Sequence, residues 1–336
     1  QNEINTPKRI FDEQNNFKIV KNINGYLKDA SNVYLDSRTT PICPDVPEIG
    51  IGNQPIDGGF YIFTKDEMED FITQEPKSAK WFRPWIGAIE FLKGYYRYCL
   101  WLTYCPADEL AQMPKCQERI QSVREYRLGR NRANTQRLAN TPKKFQVENI
   151  PNTRYLVIPA ISSERRQYIP IGFVSPEILS SDRVYITDKA DLYHFGILSS
   201  NVHNAWNRVV CGRLRTDYHY SVELVYNNFP WPTPTPKQKL AIEKAAQAVL
   251  DARNEGNNKN CSLATLYNQN IMPDNLRKAH DSLDKAVMKA YGKTSRTWKT
   301  ELQIVNDLII MYQELVKKEQ EEKIQQKKRT RRRKNI

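Results

Sequence analysis

The sequence predicts an α+β chain in which a mixed α/β region is followed by an all-helical one. Three observations predict it. Strand-like runs cluster between residues 153 and 228, four prolines fall within the eight residues 229–236, and apolar residues after that recur at spacings of three and four. A chain of 336 residues, 40% apolar and 10% aromatic, is not wholly disordered. At about 150 residues per domain it has material for roughly two domains.

Residues 1–84 read as an irregular connecting stretch. Asp29-Ala30-Ser31-Asn32, Cys43-Pro44-Asp45, Gly52-Asn53-Gln54-Pro55 and Asp57-Gly58-Gly59 punctuate it with turn signals, and Asp66–Ile72 predicts a short helix. Trp85–Leu102 is aromatic and apolar and opens a packed domain expected to span 85–232. Within it the strand candidates are Arg154–Pro159, Gln167–Phe173, Arg183–Thr187, Tyr193–Leu198 and His219–Tyr226, with a short helix over Asn201–Val210. Phe229–Pro236 predicts a stiff, aromatic-packed linker and a domain boundary. A helical domain over 233–316 follows. Leu276, Ala279, Leu283, Val287 and Ala290 mark one core-facing stripe behind Pro273-Asp274, and Trp298, Leu302, Val305, Ile309, Tyr312 and Val316 mark a second. Residues 317–336 form a basic tail, an expected solvated extension of the last helix.

The charge is localised. Overall the chain carries +13, yet residues 115–144 hold nine basic residues against two acidic ones and the tail holds ten against three. Each segment is thus +7, and the remainder is close to neutral. Localised positive charge is what a polyanion recognises, and binding through it releases counterions and weakens steeply with salt. In the inner segment Arg127, Arg130 and Arg132 are candidate phosphate contacts, with a solvated helix face as the alternative.

Several function classes lack their residues. Gly50-Ile51-Gly52 is no dinucleotide fingerprint, because Pro55 stands where the third glycine belongs. There is no Walker loop, nucleophile elbow or zinc-protease helix, and His194, His203, His219 and His280 have no ligand partners at metal spacing. Six scattered cysteines without a Cys-x-x-Cys pair read as reduced thiols in a cytoplasmic protein. No apolar run is long enough for a membrane span, and Gln1-Asn2-Glu3-Ile4 shows no secretory signal. The missing initiator Met leads to the expectation that the chain is cut from something larger. Asn228-Phe229-Pro230-Trp231 approaches the motif of exocyclic-amine methyltransferases but lacks its Pro-Pro. The chain is therefore expected to perform no chemistry alone.

Arg215-Thr216-Asp217 is the base-reading candidate from the residues themselves. On a strand, residues i and i+2 project the same way, about 7 Å apart. Arg can donate bidentately to guanine O6 and N7 and Asp can accept from cytosine N4, so the pair could read one G·C pair. A surface ion pair is the plainer reading. Ser162, Ser163, Arg165 and Arg166 suit phosphate anchoring, with a Glu164–arginine network as the rival.

A set of strings in order then carries a resemblance: Tyr96–Leu102, Ile158–Arg166, His194–Leu198, Cys211–Leu214 and Val225–Pro232, preceded by Lys21–Leu27 and Gly52–Gly59 and followed by Ser262–Asn268 and Met272-Pro273. Together they resemble the C-terminal half of MmeI-like DNA methyltransferases of the type IIL restriction–modification family. The resemblance implies a target recognition domain followed by a helical domain, reading double-stranded DNA for a DNA N6-adenine methyltransferase, with or without a fused nuclease. It implies an upstream methyltransferase domain of the same polypeptide as partner. That domain would hold S-adenosylmethionine, with no cofactor expected in this stretch. It also implies that Arg215 and Asp217 match the relatives' base-reading pair after Gly-Arg-Leu, and that Asp182, Arg183 and Ala160 match further base-reading positions. The basic tail is not part of the resemblance. A stand-alone DNA-binding or architectural protein is the alternative, and a hydrolase or transferase with an unrecognised site is a second.

Overall fold

The computed structural model describes residues 7–11, 15–23 and 34–334, with side chains through residue 326. The turn expected at Asp29–Asn32, most of the Lys21–Leu27 string and the side chains of the Lys327–Lys334 block lie outside the described residues. The chain divides into two compact units, both discontinuous in sequence: one of 1–47, 192–249 and 278–336, the other of 48–191 and 250–277.

The second unit is built on two four-stranded sheets. In one, Gly50–Ile51, Val184–Thr187, Tyr155–Pro159 and Gly172–Val174 lie side by side, all antiparallel, with Tyr185 opposite both Ile51 and Ile158. Tyr155–Pro159 is buried along its whole length, as a continuous apolar run with β-branched residues requires. In the other, Leu179–Ser180 pairs in parallel with Phe82–Ile86, which is followed by Arg97–Leu100 and Ile62–Phe63. Trp85, Leu100, Leu102, Met113 and Tyr61 form the core beneath it. The helix Pro114–Leu128 closes that core with Cys116 and Val123, both fully buried. The helix expected near Asp66 spans Lys65–Gln74. Thr64 caps it by accepting from the Glu67 amide, while Glu67 accepts from the Thr64 amide.

The other unit is mainly helical. Leu192–Ser199 is a helix where a strand was expected, and the reason is burial. Phe195, Gly196, Ile197 and Leu198 are all enclosed, and an apolar run buried on every side has no period that separates strand from helix. Gly196 permits close approach, since a Cβ there would lie 2.8 Å from Ile242 Cγ2 and 3.2 Å from Ala246 Cβ. Asn201–Val210 is helical as expected, capped by Ser200, and the Trp206 indole donates to the Val225 carbonyl at 3.0 Å. His219–Tyr226 is likewise not one strand. Pairing ends at His219, and Val222–Tyr226 coils into a π-helical turn capped by Ser221. Gln167–Phe173 pairs only from Gly172 onward.

Phe229–Pro236 does not cross solvent as a linker would. Phe229 is fully buried and Trp231 nearly so, while Tyr193 and Tyr291 donate their hydroxyls to the carbonyls of Pro232 and Pro230. Asp274–Ala290 and Glu301–Lys334 carry the two expected stripes. Leu276, Leu283, Val287, Val305, Ile309 and Tyr312 are buried, whereas Leu302 faces out. Among the described residues no helix is long and apolar enough to cross a membrane.

Candidate nucleic-acid interface

Arg215 and Asp217 lie on a β-hairpin, not along one strand. Gly212–Leu214 pairs with Asp217–His219, so Leu214 faces Asp217 and the two-residue connection is Arg215-Thr216. Arg215 has φ +58°, a left-handed backbone that a non-glycine residue holds at a cost of about 1–3 kcal/mol. The expected i, i+2 alternation is thereby replaced by a tip and a shoulder: Arg215 exposed at the turn, Asp217 half-buried where the second strand begins. Among the described residues neither side chain has a hydrogen bond or ion pair, so the surface ion pair is not formed. Arg213 braces this hairpin. Its guanidinium stacks over the Tyr218 ring at 4.0 Å and donates to the Thr216 carbonyl at 3.2 Å. Sequence reasoning missed that brace, although the i, i+5 Arg–Tyr pair flanking a tight turn was its signal.

In the other unit, Ala160, Asp182 and Arg183 come together at one end of the antiparallel sheet. Pro159 pairs with Val184, and the Ala160 amide donates to the Arg183 carbonyl at 3.1 Å. Asp182 accepts from Gln54 Nε2 at 3.0 Å, which orients one carboxylate oxygen. Arg183 is largely exposed, its Nε 3.7 Å from Asp182 Oδ1. The Ala160 methyl is partly exposed beside them.

The phosphate candidates divide. Arg130 and Arg132 are exposed and border a cleft of about 380 Å³, with Arg130 stacked 4.0 Å over Tyr126. Arg165 is exposed, and Ser163 and Arg166 are partly so. Ser162 is buried, its hydroxyl shut away from solvent, and so is not a surface anchor. The Glu164–arginine network is not formed: Glu164 makes no ion pair among the described residues.

Arg127 is a correction. It is completely buried, and its guanidinium donates to five carbonyls, those of Ile56, Leu138, Thr141, Pro55 and Lys144, at 2.8–3.1 Å. With every N–H engaged it cannot reach a phosphate. Desolvation presses its pKa below the usual arginine range, opposed by Tyr61 and Asp57. Charge counting placed it on the surface because a count does not see which face of a helix points inward.

Among the described residues no group of three His, Cys, Asp or Glu side chains could hold a metal ion. His203 is structural: fully buried, with Nε2 2.9 Å from the Tyr220 hydroxyl, and its pKa is pushed down to about 3 by desolvation.

The MmeI target recognition domain matches residues 29–233, and the MmeI C-terminal domain matches residues 234–319. DNA methyltransferase A of Bacillus subtilis (strain 168) is 38% identical over 301 residues, covering 90% of this chain and 34% of the relative. The solved structure of the type IIL restriction-modification enzyme MmeI in complex with DNA is similar with a TM-score of 0.86 and 44% identity, covering 90% of this chain and 40% of that one. The chain thus spans well under half the length of either.

Proposed function

The chain belongs to the family of MmeI target recognition and C-terminal domains, and from that premise we propose that it is the sequence-reading module of a DNA methyltransferase, acting on double-stranded DNA. One observation carries the reading: two opposite charges, Arg215 and Asp217, stand at the tip and shoulder of a braced hairpin with no partner among the described residues. Held so, the guanidinium can donate in parallel to guanine O6 and N7 while the carboxylate accepts from cytosine N4. Asp182, Arg183 and the Ala160 methyl supply a second group of base contacts, and Arg130, Arg132, Ser163, Arg165 and Arg166 hold register on phosphates.

The module delivers an adenine to the N6-methyltransferase pocket of an upstream domain of the same polypeptide, in the cytoplasm. S-adenosylmethionine supplies the methyl group in that domain. Gly50-Ile51-Gly52 does not fit it. Gly50–Ile51 is an edge strand, and Gly52 is required because a Cβ would lie 2.3 Å from the Ser181 carbonyl oxygen, so the glycines serve packing and not a cofactor loop.

Selection from a random duplex library tests the reading. Enrichment of one short motif, with a G·C position relaxed by Arg215→Ala, is the expected result. Retention without any motif, abolished by moderate salt, would leave only a basic DNA-binding or architectural protein.

A further inference from the structure

Ser163, Arg165 and Arg166 line a cleft of about 200 Å³ together with Ala264 and the turn Asn268-Gln269-Asn270. The second set lies about a hundred residues away, in the part matched by the C-terminal domain, but both belong to one compact unit. None of the seven residues is acidic and none is aromatic. The Arg165 guanidinium has no hydrogen bond or ion pair among the described residues. The cleft is smaller than the roughly 300–1,000 Å³ of a drug-sized ligand site. It offers donors and positive charge, but no ring on which a base could stack.

Its two sides are tied together underneath. Arg253, almost fully buried, donates through Nη1 to the Ile171 carbonyl at 2.7 Å and through Nε to the Tyr267 hydroxyl at 2.8 Å. Ile171 ends the segment that carries Arg165 and Arg166, and Tyr267 immediately precedes Asn268. The turn is itself closed, for the Asn270 amide donates to Asn268 Oδ1 at 3.1 Å and the Ile271 amide to the Asn268 carbonyl at 3.1 Å. The side-chain amides of Gln269 and Asn270 make no hydrogen bond among the described residues.

We propose that this cleft is a phosphate clamp for duplex DNA, in which the 268–270 turn and the two arginines grip one backbone phosphodiester; the proposal rests on the DNA-reading function above. A guanidinium pair gives charge-assisted hydrogen bonds and the amides complete the oxyanion shell. Such a contact fixes register without reading sequence. It gives the C-terminal domain a direct part in holding DNA.

The test measures binding of the whole chain to a fluorescent duplex across a salt series. Gln269→Glu combined with Asn270→Asp keeps the shape and turns donors into anionic acceptors, and Asn257→Asp combined with Asn260→Asp, exposed in the same unit and outside the cleft, controls for the same added negative charge in general. The cleft variant is expected to weaken binding about tenfold against about twofold or less for the control, and Arg165→Ala to lower the salt-dependence slope by about one. Unchanged melting of each variant establishes that folding is intact. If the wild-type chain binds and the cleft variant matches the control, the clamp is wrong while the DNA-reading function stands. If the wild-type chain binds no duplex even at low salt, both fall together.

Discussion

Arg213 and Tyr218 face each other across the hairpin as a cross-strand pair, the guanidinium 4.0 Å from the ring centroid. The same guanidinium reaches the Thr216 carbonyl in the turn and, at 3.3 Å, the Arg208 carbonyl at the end of the preceding helix. A side chain shared between strand, turn and helix removes freedom from the tip that carries Arg215. A cation–π contact at an exposed site contributes about 0.5–1 kcal/mol, and the hydrogen bonds add a similar amount. Arg213→Ala is therefore expected to speed amide exchange over 212–219 about tenfold and to leave the urea midpoint of the whole chain in place. Unaltered exchange would mean that the hairpin is rigid without this brace.

The left-handed backbone of Arg215 separates fold from function. Glycine adopts φ +58° without steric cost, so Arg215→Gly should leave stability unchanged or raise it by about 1 kcal/mol. It should also abolish discrimination at one G·C position, a loss of about 1–3 kcal/mol. A variant both more stable and less selective would identify the strain as retained for readout. Undiminished selectivity would remove Arg215 from the base-reading set.

That position also shows why sequence alone misplaces local geometry. A two-residue turn usually announces itself with glycine or asparagine, and Arg215-Thr216 has neither, so nothing in the sequence marks the hairpin between Leu214 and Asp217. Tyr193–Leu198 reads as a strand for another reason: Phe195–Leu198 is buried throughout, so no wet face supplies a helical period. The last two helices were legible because their stripes have one wet face, as Leu283 buried beside exposed Lys285 illustrates. Among the candidate site residues, Arg165 and Arg215 are marked in the sequence by their chemistry. Asn268–Asn270 were not, since what makes them a candidate is a cleft formed with residues a hundred positions earlier. Arg127 was misassigned because burial is a property of the fold and charge is not.

Arg127 predicts a structural loss, not a binding loss. Arg127→Met keeps the volume and strands five carbonyls, each of which costs about 1 kcal/mol or more if water cannot replace the donor. Urea unfolding should show at least about 3 kcal/mol of destabilisation. At temperatures where the variant remains folded, the salt slope of DNA binding should match the wild type. A slope reduced by about one would return Arg127 to the phosphate contacts.

His203 predicts an acid limb of stability. The folded chain keeps the ring neutral down to about 3, whereas an exposed histidine takes its proton near 6.5. Between these values the unfolded state binds more protons, so stability falls as pH falls through that window and is unaffected by this group above it. The slope from one such group is at most about 1.4 kcal/mol per pH unit. His203→Gln, which retains a polar partner for Tyr220, should flatten the limb between about pH 6 and 4 relative to wild type. Parallel profiles would place the acid sensitivity on carboxylates instead.

Gly52 links a backbone clearance to the second group of base contacts. Its α-carbon faces the Ser180–Ser181 backbone, where a Cβ would fall 2.6 Å from one carbonyl oxygen and 2.3 Å from the other. Next to it, the Asn53 amide donates to the Ser180 carbonyl at 2.6 Å, so the strand cannot swing away without breaking that bond. The obstruction is main chain and cannot change rotamer, so Gly52→Ala must push the Ser180–Val184 turn outward, at a cost of about 1–3 kcal/mol. That turn carries Asp182 and Arg183, whereas Arg215 belongs to the other compact unit. The alanine variant should therefore relax selection at the same base-pair position as Arg183→Ala and leave the position read by Arg215 intact. Equal relaxation at both positions, in a library selection run on folded protein, would show that the variant loosens the whole chain and would take Asp182 and Arg183 out of the readout.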